Sequence, residues 1–380
     1  LFQRNLPMIR IQIRISINLL FLSSYVGLTR VSSLHLSPNM DARITSVHDG
    51  IFVCLQNTLQ SPHCLQKIRH YTTVMENRTA SDIPRGNWVD CWLPESARPY
   101  ARLARFDRPI GTWLLLFPCW WSLAMAIEDW SDIKMVLWLF ILFGIGAKIM
   151  RGAGCCLNDI ADRDFDAGVA RTKDRPIPSK QISVKQAFAF MALLSAIGLT
   201  ILLQFNWFAV GLGATSLILV AIYPLTKRFT YWPQFVLGLT FNWGALLGWA
   251  VVRGDIQLPA VVLYIAGIFW TLGYDTIYGL QDIEGDPLVG VKSTALALLS
   301  NMRLWLYIFY GAAIVLMGVA GWLVTLSWPF YVGLGLTALH GIWQVWDLKI
   351  NDPYDCLAKF KSNRLFSWLF LGGIIAGQIL

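Results

Sequence analysis

From residue 110 onward the chain alternates long apolar stretches with short polar loops. Nine such stretches occur, at roughly 110–127, 133–153, 186–204, 207–223, 233–251, 258–278, 303–325, 328–346 and 364–380. Each approaches the ~20 residues that cross a bilayer as a helix. A transmembrane barrel would show ten-residue alternating segments instead. The pattern predicts an all-α polytopic membrane protein with about nine transmembrane helices, the shorter ones tilted or half-buried.

Composition sharpens this picture. Of 380 residues, 56% are hydrophobic and 14% charged, and mean hydropathy is +0.52. Soluble domains carry about 25% charged residues. The net charge of +8 does not point to nucleic acid, because the basic residues fall in short loops where the positive-inside rule puts them. Eighteen tryptophans suit interfacial belts and a ring-lined cavity. None of the seven cysteines forms a C-x-x-C pair, so no disulfide or zinc framework is expected. Of the five histidines only His340 lies in the apolar region, and it reads as a hydrogen-bonded packing residue. A metal site would therefore be built from oxygen, which points to Mg²⁺ or Ca²⁺.

Residues 1–90 read as a mitochondrial transit peptide followed by presequence or linker, and residues 91–380 as the membrane domain. Arg4, Arg10, Arg14 and Arg30 precede Asp41 with no acidic residue among them, and serines are frequent. The stretch Ile15–Leu28 is too short and polar for a comfortable span. A secretory signal is its competing reading, disfavoured because the arginines are spread along the segment.

Two carboxylate clusters end apolar stretches. The first runs from Asn158 to Asp166 and the second from Tyr274 to Asp286. An Asp at a helix centre in lipid costs about +2.5–3.5 kcal/mol on insertion scales, so something must offset them. The first cluster follows the second span and the second follows the sixth, which places both on one side. Arg102, Arg105, Arg108, Lys227, Arg228, Lys292 and Arg303 fall on that same side. The opposite loops carry Glu128, Asp129, Asp132 and Asp255 against Lys134 and Arg253. By charge bias the cluster side is the cytoplasm, or the matrix of a mitochondrion. The two cluster-bearing units form a loose repeat, and a two-fold bundle around a central cavity is the natural packing.

Asn158, Asp162 and Asp166 are spaced i, i+4, i+8 and share a helix face, with Asp159 one position round. Asp275, Tyr278 and Asp282 are spaced i, i+3, i+7, and Asp286 extends their face. Opposed across a cavity, two such faces make an oxygen cage for Mg²⁺, which takes one or two carboxylates, waters and phosphate oxygens. Arg163, Arg171, Lys173, Arg175, Lys227, Arg228 and Lys292 lie close by in sequence. Carboxylates, Mg²⁺ and these cations together would hold a diphosphate and stabilise it as a leaving group. Some of the aspartates would orient arginine or water instead of metal. For any single loop cation, the topology rule is an equally good account.

These residues resemble the UbiA superfamily of intramembrane aromatic prenyltransferases, from about Arg98 to the C-terminus. The resemblance rests on Leu103-Ala104-Arg105-Phe106-Asp107-Arg108-Pro109-Ile110-Gly111-Thr112, Arg151-Gly152-Ala153-Gly154-Cys155-Cys156-Leu157-Asn158-Asp159 and Arg171-Thr172-Lys173-Asp174-Arg175-Pro176. It rests further on Tyr223-Pro224-Leu225-Thr226-Lys227-Arg228, Tyr274-Asp275-Thr276-Ile277-Tyr278 and Val291-Lys292-Ser293-Thr294-Ala295. It implies a nine-helix bundle whose central cavity opens to the membrane, with Mg²⁺ as cofactor. The implied reaction moves a polyprenyl group from its diphosphate to the ring carbon ortho to the hydroxyl of 4-hydroxybenzoate, in ubiquinone biosynthesis. The implied place is the mitochondrial inner membrane, multi-pass, with the Asp-rich motifs facing the matrix, in association with other ubiquinone-biosynthesis proteins. Metal binding is implied for Asn158, Asp159, Asp162, Asp166, Asp282 and Asp286. Catalytic roles are implied for Asp275, Asp282 and Arg228. Substrate contacts are implied for Arg105, Asp107, Arg163, Lys173, Arg175, Lys227, Asn242, Tyr278 and Lys292. The faces of Trp243, Tyr274 and Tyr278 would stabilise an allylic cation.

The chain departs from the family pattern in places. Gly285 interrupts the second acidic run, Pro178-Ser179-Lys180 replaces a small, Gly-ending segment, and Lys148 sits inside an apolar span. Two rival readings stay open. One changes the acceptor to homogentisate, a naphthoate or haem. The other is a cation-coupled transporter, whose ion sites would lie near the bilayer midplane.

Overall fold

Two short helices, α1 (Trp88–Trp92) and α2 (Arg98–Leu103), lead into a series of long apolar ones. Next come α3 (Ile110–Ala126), α4 (Ile133–Ala161), α5 (Arg163–Gly168), α6 (Val184–Leu202), α7 (Trp207–Thr226), α8 (Pro233–Phe241), α9 (Trp243–Arg253) and α10 (Leu258–Gly279). They are followed by α11 (Thr294–Ala297), α12 (Met302–Leu323), α13 (Trp328–Trp346) and α14 (Pro353–Ile379). This computed structural model describes residues 83–84, 86–168, 172–226, 228–283 and 292–380. The transit-peptide reading thus lies almost wholly outside the described residues, as do Arg171, Lys227, Gly285 and Asp286. Among the described residues the chain is helical, with no strand.

All nine apolar stretches are helical, the fifth broken at Asn242. Among the described residues, six helical segments are long and apolar enough to cross a membrane: α4, α6, α7, the α8–α9 pair, α10 and α12. Helix α3 is apolar but shorter, and α13 and α14 fall outside the six. In α14 the reason is visible in its first half, which carries Asp355, Lys359, Lys361 and Arg364.

Local chemistry sets the helix ends. Asp132 accepts from Met135 N to start α4, and Ser183 and Gln186 form a capping box on α6. Gly254 ends α9 with φ +74, a conformation open to glycine at no steric cost. At the α8–α9 break, Asn242 Nδ2 donates to Gly238 O and to Thr271 Oγ1, both at 2.8 Å.

Helix contacts run in a closed circuit: α3 to α4, then α7, α8, α10, α12, α13 and α14, and back to α3. Helix α6 packs on α4. Across the closing seam Trp121 Nε1 donates to Ser367 O at 3.1 Å, and Gln378 Nε2 donates to Met125 O at 3.1 Å. Large rings fill the middle. Trp121 lies 5.0 Å from Trp270, and Trp270 stacks on Phe366 at 5.7 Å. A buried polar seam joins α10, α12, α13 and α14. Trp270 Nε1 donates to Asn363 Oδ1 (3.0 Å), Asn363 Nδ2 donates to Gln344 Oε1 (3.1 Å), and so does Tyr310 OH (2.8 Å). His340 Nδ1 lies 3.0 Å from Gln344 Nε2, the packing role read from its context. Buried Lys359 pairs with Asp347 and lies 3.8 Å from Asp355, with its Nζ 3.9 Å above the Trp343 ring.

Close helix approach is set by small residues, as expected where lipid supplies no hydrophobic drive between helices. Gly244 and Gly248 lie one turn apart on α9, both against Cys119 of α3. A Cβ at Gly248 would stand 2.5 Å from Cys119 O and 3.1 Å from Leu123 N, both backbone atoms that cannot swing aside. Gly248→Ala should therefore destabilise the bundle by about 1–3 kcal/mol. Gly335→Ala, with nothing within 4 Å of its new Cβ, should be neutral or slightly stabilising through helix propensity. Thermal unfolding of both variants in detergent checks this; equal midpoints would contradict it.

Candidate functional site

The first cluster forms where α4 gives way to α5. Helix α4 stops at Ala161, yet Asp162 N still donates to Asn158 O and Asp166 N to Asp162 O, each at 2.8 Å. The helical turn therefore survives the break. Asn158 and Asp162 are half-buried, while Asp159 and Asp166 are buried. Arg105 Nη2 donates to Asp159 Oδ1 at 2.7 Å, and Arg175 Nη1 lies 3.4 Å from the same oxygen and 2.8 Å from Asp166 Oδ2. Burial pushes the Asp166 carboxyl above its ordinary value; Arg175 opposes this, and the nearby Asp159 charge adds to it. Thr172 Oγ1 donates to Asp166 O at 3.0 Å and ties the following turn down. That turn ends on Lys180 at φ +62, the conformation that a Gly-ending segment would adopt freely.

Arg228, which follows α7, reaches the same place. Its Nη2 donates to Ala161 O, the last carbonyl of α4, at 3.0 Å, and its guanidinium lies 5.3 Å over the Phe165 ring. Cations suit helix C-termini. Asp107, next to the strap that carries Arg105, has a fully buried side chain. Arg108 Nε lies 3.2 Å from its Oδ1, and Oδ2 has no partner. Burial raises its pKa, with Arg108 and Arg105 pulling the other way.

The second cluster ends α10. Asp275, Tyr278 and Asp282 are half-buried, whereas Tyr274, Thr276, Ile277 and Leu280 are buried, so the face read from the spacing is the less buried one. The helix tightens to a 3₁₀ turn at Leu280–Asp282. Tyr278 packs on Phe360 with centroids 4.6 Å apart, and Tyr274 packs edge-on to Trp270 at 4.8 Å. The Lys292-Ser293-Thr294 motif docks nearby against the start of α8. Thr294 N and Oγ1 donate to Gln234 Oε1 at 3.0 and 2.7 Å, and Lys292 Nζ donates to Phe229 O at 3.4 Å.

The structure thus gathers Arg105, Asp159, Asp166, Arg175 and Arg228 at one helix end. It does not bring Arg163, Lys173 or Asn242 to them. Arg163 is exposed and lies 3.5 Å from exposed Asp164, and Lys173 is exposed. Asn242 has no exposed surface and serves the α8–α9 break. Trp243 is likewise a packing residue, its Nε1 bonded to Leu212 O and its ring edge-on to Tyr264. Lys148 is exposed, with its Nζ 5.4 Å above the Phe106 ring.

Arg151 opens the motif that ends on Asn158-Asp159, and its Nη1 donates to Cys155 Sγ at 2.6 Å. It sits two turns before Asn158, its Nε is buried without a partner, and its guanidinium lies 5.5 Å over the Phe241 ring. A Cβ at Gly111 would collide with it at 2.6 Å. Among the described residues no carboxylate pairs with it. An arginine inside an apolar span is a functional signal in itself.

Among the described residues no three His, Cys, Asp or Glu side chains converge on a point that would cage a metal. The donors at the two clusters are nonetheless oxygen groups, which fits Mg²⁺ held by one or two carboxylates, water and phosphate.

Apolar helices with arginines and carboxylates gathered at their ends define a polytopic membrane protein. The chain belongs to the UbiA prenyltransferase family, whose model matches residues 115–371. It is 47% identical over 284 residues to the mitochondrial 4-hydroxybenzoate polyprenyltransferase of Aedes aegypti, covering 74% of this chain and 64% of that protein. Identity to the Arabidopsis thaliana protein of the same name is also 47%, over 300 residues, with 78% of this chain and 72% of that protein covered. In three dimensions it is similar to an apo UbiA homolog from Aeropyrum pernix K1 (TM-score 0.58, 24% identity, 70% of this chain and 96% of that one). It is also similar to an Archaeoglobus fulgidus UbiA homolog bound to GPP and Mg²⁺ (TM-score 0.57, 18% identity, 74% of this chain and 100% of that one).

Because folded Asp107 holds its proton to higher pH than the unfolded chain, its contribution to stability is full below the ordinary carboxylate pKa and is lost as pH rises through the raised value. Asp107→Asn removes this dependence. The thermal midpoint of the variant relative to the parent should therefore rise as pH is increased from about 4. A difference independent of pH would contradict this.

Proposed function

We propose that this chain is a Mg²⁺-dependent 4-hydroxybenzoate polyprenyltransferase of the mitochondrial inner membrane, acting in ubiquinone biosynthesis with its Asp-rich motifs on the matrix side. The observation that carries the diphosphate half of this reading is the array of Arg105, Arg175 and Arg228 around the buried carboxylates at the end of α4. The acceptor half rests on the names of the relatives and on Arg151, an in-span cation that suits the carboxylate of an aromatic acid.

Asn158, Asp162 and Asp282 would hold Mg²⁺, together with Asp286, which lies outside the described residues. Bound there, Mg²⁺ supplies Lewis-acid polarisation of the diphosphate oxygens. The protein's own cations do the rest of the charge stabilisation. Arg105, Arg175, Arg228, Lys292 and the undescribed Lys227 oppose the negative charge that grows on the departing diphosphate. The surrounding apolar helices exclude water from the allylic cation, and the face of Tyr278 stabilises it by about 2 kcal/mol when desolvated, while Tyr274 packs in the core behind it. Arg151 orients the acceptor, and Asp275 takes the phenolic proton as the ring carbon attacks; the dienone so formed then gives up the proton on that carbon and its oxygen is reprotonated, which restores the aromatic phenol.

Membranes holding the full chain, incubated with Mg²⁺, 4-hydroxybenzoate and prenyl diphosphates of several lengths, should yield a product heavier by the prenyl group. Asp275→Asn should abolish it with the fold intact. Arg151→Gln should raise the acceptor KM by about 10–100-fold, the size expected for a charge-assisted hydrogen bond. Product from homogentisate or a naphthoate alone would move the reading to another acceptor. Cation-driven solute uptake without prenylated product would replace it with a transporter.

A further inference from the structure

We propose that Asp159 is a positioning carboxylate that gathers Arg105 and Arg175 for the diphosphate and is not a ligand of the metal, a division of labour that rests on the diphosphate reading above. Asp159 follows Asn158 directly, yet the two stand about 100° apart around α4. The neighbours on the metal face, Asn158 and Asp162, are half-buried, while the Asp159 side chain is 1% exposed. Its Oδ1 is committed to two guanidinium groups, Arg105 at 2.7 Å and Arg175 at 3.4 Å. They come from opposite directions along the chain, 54 residues before it and 16 after.

The backbone around Arg105 supports the same assignment. Arg105 has φ +58, a left-handed conformation uncommon for a residue with a side chain. Such strain persists only where contacts over-determine it, and it concentrates at functional sites. The contacts here include the Asp159 ion pair and the bond from Arg105 Nη1 to Arg102 O at 3.2 Å. The turn that strains the backbone is the one that delivers the guanidinium to Asp159.

Metal chemistry points the same way. The remaining oxygen, Oδ2, is buried and has no hydrogen-bond partner among the described residues. Mg²⁺ sheds water reluctantly and binds oxygen at about 2.0–2.1 Å. On Oδ2 it would have to dehydrate and then stand beside two guanidinium groups already drawn to the same carboxylate. Two arginines, by contrast, repel each other unless an anion lies between them. With Asp159 in that place, two planar forks are held together and match the oxygens of a diphosphate bidentately.

The test uses the full chain in detergent and a non-reactive prenyl thiolodiphosphate as probe. Its affinity at saturating Mg²⁺ and the Mg²⁺ concentration for half-maximal binding are measured by calorimetry. Asp159→Asn and Arg105→Gln should each weaken probe binding by about tenfold or more, with the double variant little worse than the weaker single one. The Mg²⁺ requirement should stay within about twofold in both, while Asp162→Asn raises it by about tenfold or more. A raised Mg²⁺ requirement in Asp159→Asn, or unweakened probe binding, overturns the proposal. Should Asp159→Asn fail to fold, Arg105→Gln carries the test alone, and undiminished probe binding in it has the same force. Failure of the unsubstituted chain to bind the probe in the presence of Mg²⁺ sinks the diphosphate reading instead.

Discussion

One buried carboxylate at the end of an apolar helix sets the terms for the rest of the site. Asp159 is out of water, and an uncompensated charge there would be costly. Arg105 and Arg175 compensate it, and in doing so they fix three stretches of chain to one another: the strap before α3, the end of α4 and the turn after α5. Breaking a buried pair by removing one partner typically costs about 3–5 kcal/mol. The two arginines are therefore part of the framework, held in place by the carboxylate between them.

Two other kinds of contact hold the helices that carry these groups. Small residues let backbones touch, as Gly244 and Gly248 do against α3, and as Gly333 does against Gly373 between α13 and α14. Buried amides and phenols then set the register, through Asn363, Gln344, Tyr310 and Trp270. This seam reaches the site, because Trp270 meets Tyr274 edge-on and Phe360 covers Tyr278. The aromatic faces next to Asp275 are thus held from α14, a helix with no residue in either carboxylate cluster.

Much of this was legible in the residues. The apolar stretches marked the long helices, although α14 begins eleven residues before its stretch, and the spacing of Asp275, Tyr278 and Asp282 marked the less buried face of α10. The harder distinctions were between residues of one type. Asn158, Asp159, Asp162 and Asp166 look alike as a string, but only packing tells that Asp159 and Asp166 are turned toward arginines. Arg163 and Arg175 are both plausible anion binders from sequence, and one meets the buried carboxylates while the other lies against exposed Asp164. Asn242 shows a further limit. The resemblance implies a substrate contact for this polar residue inside an apolar stretch, whereas here its amide bonds Gly238 O and Thr271 Oγ1 where the helix breaks. Arg151 was the signal passed over, a cation within an apolar span with no acidic neighbour in sequence to explain it.

The circuit of helices closes between α3 and α14, where Trp121 meets Ser367 and Ala124 meets Gln378, pairs separated by 246 and 254 residues. Most other neighbours in the circuit are close in sequence and can assemble as soon as both have entered the bilayer. The closing seam cannot, since contacts between distant parts of a chain form late. Until that seam forms, the circuit of helices stays open between α3 and α14. The last helix of the chain is thus the one that closes the circuit begun by the first long one.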